Sequence, residues 1–172
     1  MKPKAIVALL GLPLIAACAP EIEATIRVTE VEGVVESGQS KSVPAILRVP
    51  QGSEDSCNEG LDKLIENLAT LAPVTGKGRC IEEDGDTLAE IETEMVIASP
   101  DSGYDARNLL VLTATPTDPE ALTFELSLAL TQPLEDIVKV LATDSDQLQV
   151  DFDPAKFIFT LTNDAGWSVD IR

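Results

Sequence analysis

The segment EIEATIRV alternates without interruption: Ile22, Ala24, Ile26 and Val28 fall on one side, Glu21, Glu23, Thr25 and Arg27 on the other. Successive strand side chains point to opposite faces, so the pattern predicts a strand with one buried face and one wet face. LTFELSLAL repeats it, with Leu122, Phe124, Leu126, Leu128 and Leu130 opposed to Thr123, Glu125, Ser127 and Ala129. Strands of this kind suit an antiparallel sheet covered on one face, because doubly covered parallel sheets need strands apolar on both sides. VPAILRVP reads as a strand toward an edge, since Pro44 has no N–H to give to a ladder. VESGQSKSV carries turn chemistry, and GRCIEEDGDTLAEIETEMVIAS folds back at Asp84-Gly85 as a hairpin. NLLVLTATP, QLQVDFD, KFIFTLTN and GWSVDIR supply further strands.

Two stretches change period. In DSCNEGLDKLIENLATLAP, Leu61, Leu64, Ile65 and Leu68 stand at helical spacing, with Asp55 or Ser56 as N-cap and Pro73 as a stop. In TQPLEDIVKVLATDS, Pro133 suits a first turn, and Leu134, Ile137, Val138 and Leu141 form one stripe. The expected fold is therefore α+β: an antiparallel sheet with two amphipathic helices packed on one face. The helices share Leu-Ala-Thr and similar patterning, which admits either a ββαββ pseudo-repeat or helix patterning alone.

The chain opens MKPKAIVALLGLPLIAAC. Lys2 and Lys4 precede an apolar run from Ala5 to Ala17, shorter than the roughly 20 residues of a spanning helix. This is the layout of a secretory signal peptide. Its end, Ile15-Ala16-Ala17-Cys18, resembles the bacterial lipobox, an aliphatic residue and two small ones before cysteine. That resemblance implies a diacylglyceryl thioether on Cys18, cleavage between Ala17 and Cys18, and acylation of the new amino end; a buried cysteine in a plain signal peptide is the alternative. Residues 1–17 are then a cleaved leader, and 18–172 a single acidic domain anchored through Cys18. Two or more acyl chains hold a protein stably on a bilayer, at about 0.8 kcal/mol per buried methylene. Once Cys18 is assigned to lipid, Cys57 and Cys80 remain as an even pair, read as a disulfide in an exported protein or else as two buried thiols.

Charge narrows the partners. Thirty Asp and Glu oppose twelve Lys and Arg for a net −18, which becomes −20 when Lys2 and Lys4 leave with the leader. Such a polyanion repels nucleic-acid phosphates and anionic head groups. Aromatic residues at 3% leave little platform for sugar rings. Histidine is absent, which removes the commonest general base and metal ligand, and no glycine-rich phosphate loop occurs. CIEEDGDTLAEI has a superficial likeness to a calcium loop, but aligning Gly85 with the required glycine puts Cys80 and Ile91 where carboxylates belong. Asp101 with Asp105, Asp144 with Asp146, and Asp151 with Asp153 read as turn and cap residues before calcium ligands. No catalytic residue, metal ligand or cofactor is assigned, and no enzyme activity is expected.

The lipobox, the alternating strand directly behind it, Ser56-Cys57 at a helix start and Cys80 leading into EIETEMVI together resemble a group of small uncharacterised lipoproteins of bacterial and bacteriophage or prophage genomes. The resemblance implies no activity. It admits a phage-related role, since some phage lipoproteins of similar design block outer-membrane receptors against a second infection. Two functions follow as expectations: a membrane-anchored, non-enzymatic interaction or structural protein of the cell envelope with a membrane-proximal protein partner, or a tethered module for a small ligand, calcium or lipid. Ala19 stands where many enteric bacteria place an inner-membrane retention Asp, so the expected address is the periplasmic leaflet of the outer membrane. The cell surface or the outer leaflet of the cell membrane is the alternative.

Overall fold

The computed structural model describes residues 20–104, 107–118, 123–131 and 157–165. Along them run β1 (Glu21–Arg27), α1 (Val28–Ser37), β2 (Lys41–Gln51), α2 (Glu54–Leu68), β3 (Arg79–Glu83), β4 (Asp86–Ala98), β5 (Leu110–Asp118), β6 (Thr123–Leu130) and β7 (Phe157–Thr162). The seven strands form one sheet ordered β6-β5-β4-β2-β1-β7, with β3 on β4 beside this path.

The period-two pattern becomes a layered core through the register. Ile22 pairs with Leu47 and Leu47 with Ile91; Ala24 pairs with Ala45 and Ala45 with Thr93. All six are buried, and they face both helices: Val31 and Val34 of α1 and Cys57, Leu64 and Leu68 of α2 join them in one cluster. Thr93 is the polar member of its row and satisfies its hydroxyl by donating to the Pro73 carbonyl at 2.7 Å. A smaller apolar group on the other face joins Val96, Ala98 and Val111 where β4 meets β5.

The sheet is mixed, not antiparallel throughout, which corrects the expectation. β4 runs parallel to β5, and β1 runs parallel to β7. The β4–β5 arrangement needs no long crossover, because only Val96–Ala98 pair with Val111–Thr113 and β5 then runs on past the end of β4. The same edge of β4 serves β3 at Asp86–Glu90 and touches Val74 at Thr93. Thirteen residues long, β4 thus pairs with β2 on one side and with three successive segments on the other.

α1 is a second correction: VTEVEGVVES, whose Val28 was expected to end a strand and whose Val35–Ser37 to begin a turn, with no element expected between them, is helical over ten residues. Val28, Val31 and Val34 are buried at a spacing of three, so packing overrides the strand preference of β-branched residues. Arg27 N donates to Glu30 Oε2 at 3.1 Å, and Gly38 ends the helix at φ 67°, its N–H returning to the Val34 carbonyl. α2 forms as the spacing predicts, although its N-cap is Ser53, whose hydroxyl accepts from Ser56 N at 3.2 Å. The Asp84-Gly85 hairpin is present, both residues at positive φ as a two-residue type I′ turn requires. The expected helix after Pro133 and the strands QLQVDFD and GWSVDIR lie outside the described residues, so of the second half of the expected pseudo-repeat only β5, β6 and β7 are described. No helix among the described residues is long and apolar enough to cross a membrane.

Candidate functional site

The chain enters the fold at one end of the sheet. Pro20 is buried and β1 starts at the next residue, paired there with Arg48 near the end of β2. Register places the end of β2, the start of α2 and the β3–β4 turn at this same end. Glu54, Asp55, Glu82, Glu83, Asp84 and Asp86 are exposed there, so the point of entry is strongly acidic. Glu54 and Asp55 also sit in the first turn of α2, where negative charge complements the helix dipole.

On the face away from the helices, pairing lines up Glu21, Arg48, Glu90 and Arg79 across four strands. Arg48 donates from Nε to Glu90 Oε2 at 3.0 Å and from Nη1 to Glu23 Oε2 at 2.8 Å. Arg79 donates from Nε and Nη2 to Glu90 Oε1, at 2.8 and 2.5 Å. Glu83 approaches Arg48 at 3.9 Å. Glu90 is buried, which by itself raises its pKa, but the hydrogen bonds and charges of Arg79 and Arg48 outweigh burial and hold it below the ordinary carboxylate value. Burial likewise lowers Arg48, and its bonds to Glu23 and Glu90 reverse the sign. Both groups are driven away from neutral pH, so the row suits fixing strand register better than moving protons.

Nearby, a groove of about 320 Å³ runs over β1 and β2, with Thr25, Arg27, Pro44 and Ile46 among its lining and Glu30 of α1 closing one side. The Glu30 carboxylate there is within 3.2 Å of Lys41 Nζ. A separate polar contact ties the chain's distant parts: Asp164, just past β7, accepts from Thr29 N at 3.0 Å and from Thr29 Oγ1 at 2.7 Å. Asp164 thereby caps α1 from 135 residues away. These two bonds lower its pKa.

Of the sites read from sequence, Cys57 and Cys80 are brought together, with Sγ atoms 1.95 Å apart and Cα atoms 6.0 Å apart. The pair fastens α2 to β3, and Cys57 is buried against the sheet. Cys18 and Ala17 lie outside the described residues, as do Asp105, Asp144, Asp146, Asp151 and Asp153. Asp101 is exposed in the turn after β4. No group of three or more His, Cys, Asp or Glu among the described residues is placed to hold a metal ion. The Arg48–Glu90–Arg79 row was not singled out by sequence reasoning. No protein-family model, curated protein or solved structure matches the chain.

Proposed function

We propose that this protein is a membrane-anchored lipoprotein whose domain acts by binding a partner at the cell envelope, as an interaction or structural component and not as an enzyme. One observation carries the reading: the lipobox cysteine, Cys18, stands three residues before the first residue of β1, with Pro20 between them already buried. A tether of two residues spans about 7 Å. It cannot carry the domain across the periplasm, so the acidic end of the sheet is held at the membrane and the partner is a membrane protein or a membrane-proximal complex.

The expected address is the periplasmic leaflet of the outer membrane, and a phage or prophage origin with receptor blocking is one form this function takes. In support stand the charged head, the apolar run, the small residues before Cys18 and the outer-face arginines already engaged by glutamates. Labelled palmitate should enter the wild-type protein and not Cys18→Ser, which should also lose its membrane fraction. Label in the Cys18→Ser protein would refute the anchor. Affinity capture of the lipidated protein from native membranes then tests the interaction role, with one enriched envelope protein as the expected result.

A further inference from the structure

The ladder between β1 and β2 is shorter than either strand. It joins Glu21–Ala24 to Ala45–Arg48 and stops there. The next step of that register would set Thr25 opposite Pro44, which has no N–H to give. Beyond it Thr25–Arg27 stay paired with β7 and Lys41–Pro44 with β4, so the sheet forks between β1 and β2. The groove of about 320 Å³ lies at this fork, lined by Glu23, Thr25, Arg27, Glu30, Pro44 and Ile46.

The charges of the groove are unequally spent. Glu23 accepts from Arg48 Nη1 at 2.8 Å, and Glu30 bridges the fork, its carboxylate taking Arg27 N at 3.1 Å and Lys41 Nζ at 3.2 Å. Lys41, Arg48 and Arg79 are each ion-paired. The Arg27 guanidinium, on an exposed residue, has no ion pair among the described residues.

From this geometry we infer that the fork is a seat for the free carboxyl end of a partner polypeptide, with the terminal carboxylate on Arg27 and an apolar last side chain over Pro44 and Ile46. A carboxylate matches the planar guanidinium with two parallel hydrogen bonds. A monoanion is favoured over a phosphate, because a second negative charge would meet Glu23, Glu30 and a chain of net charge −18. The volume stands near the lower limit of small-ligand pockets, about 300 Å³, and Thr25, Arg27 and Pro44 are exposed, so a free acid would stay largely in water. A chain end gains contacts beyond the groove that a free acid cannot: Ile158, 51% exposed, neighbours Glu23 from β7 as Ile46 does from β2. Glu23 stands four residues back from Arg27, about 13 Å along the strand, which is the reach of the last few residues of an extended chain. The inference rests on the partner-binding reading above, to which it gives a chemistry, and not on the anchor.

The test is fluorescence anisotropy with full-length protein in detergent and a dye-labelled peptide, Gly-Ser-Gly-Ile-Thr-Leu, bearing a free carboxyl end. Saturable binding is expected, and the same peptide with an amidated end should bind at least about tenfold more weakly. Arg27→Gln should weaken the carboxylate peptide by about the same factor and leave the amidated one unchanged, whereas Lys77→Gln, at an exposed lysine outside the groove, should alter neither. Equal binding of the two peptides to the wild type overturns the proposal, and that comparison needs no variant to fold. So does a lack of saturation up to about 1 mM peptide. N-acetyl-leucine should displace the peptide only at far higher concentration; displacement at the peptide's own concentration overturns the chain end as occupant. Capture of the envelope partner from native membranes by Arg27→Gln as well as by wild type would overturn the fork as the partner's seat while leaving the partner role intact. Palmitate labelling reports separately on the anchor.

Discussion

Burial and the two arginines act on Glu90 in opposite directions, and the arginines win. The sign has a consequence for stability. A carboxyl whose folded pKa is depressed contributes stability that is fully present above its unfolded value, about 4.3, and lost as pH falls through the folded one. Glu90→Gln should therefore cost about 2 kcal/mol near neutral pH, where it leaves Arg48 and Arg79 without their shared carboxylate. The difference from wild type, read from urea unfolding at a series of pH values, should shrink in acid below about pH 4. A difference that grew in acid would contradict the assignment. Asp164 is depressed as well, so Asp164→Asn should matter at neutral pH and cease to matter in strong acid. Half of this site was legible in the sequence: Val43, Ala45, Leu47 and Val49 alternate, which turns Arg48 to the wet face. Its partner was not legible, because one glutamate among so many acids gains meaning only through a register set by distant strands.

Among the elements, α1 offers a pair of substitutions with opposite signs. Gly33 lies within the helix with open space where a Cβ would go, so Gly33→Ala should stabilise by up to about 1 kcal/mol. Gly38, at φ 67°, should instead lose about 1 kcal/mol on Gly38→Ala. Thermal midpoints of the two variants should move in opposite directions. For α2 and β3, the Cys57–Cys80 pair closes a loop with a sequence separation of 23, worth about 3 kcal/mol in the chain-entropy model. Reduction should lower the midpoint by roughly 6–12 °C for a chain of this size, and unreduced exported protein should show no alkylatable thiol from this pair. β1, α2 and the Asp84-Gly85 hairpin were readable because each carries a local period or turn signal, whereas β2 was readable as a strand but not in its place: expected toward an edge for its Pro44, it lies inside the sheet between β1 and β4. α1 was missed because its valines and Gly33 disfavour a helix, while the three-residue spacing of Val28, Val31 and Val34 held the clue. The parallel pairings could not be read, since strand neighbours across a sheet leave no mark on the local pattern.

Taken as a whole, the molecule is organised about where its chain enters. Because Pro20 is itself buried, a lengthened tether should be inserted between Ala19 and Pro20, where it leaves β1 intact. A flexible Gly/Ser insert of about 30 residues would let the domain wander by roughly 30 Å. Partner capture from membranes, or phage resistance where that is the function, should then fall while palmitate labelling and the thermal midpoint stay unchanged. Undiminished capture would show that closeness to the bilayer has no role. The placement of β1 between β2 and β7 has a mechanical side too. A pull applied through Pro20 acts along the axis of an interior strand, antiparallel to one neighbour and parallel to the other. Such a load shears both ladders at once instead of unzipping one bond after another, so force transmitted through the proposed anchor would meet the fold where it resists best.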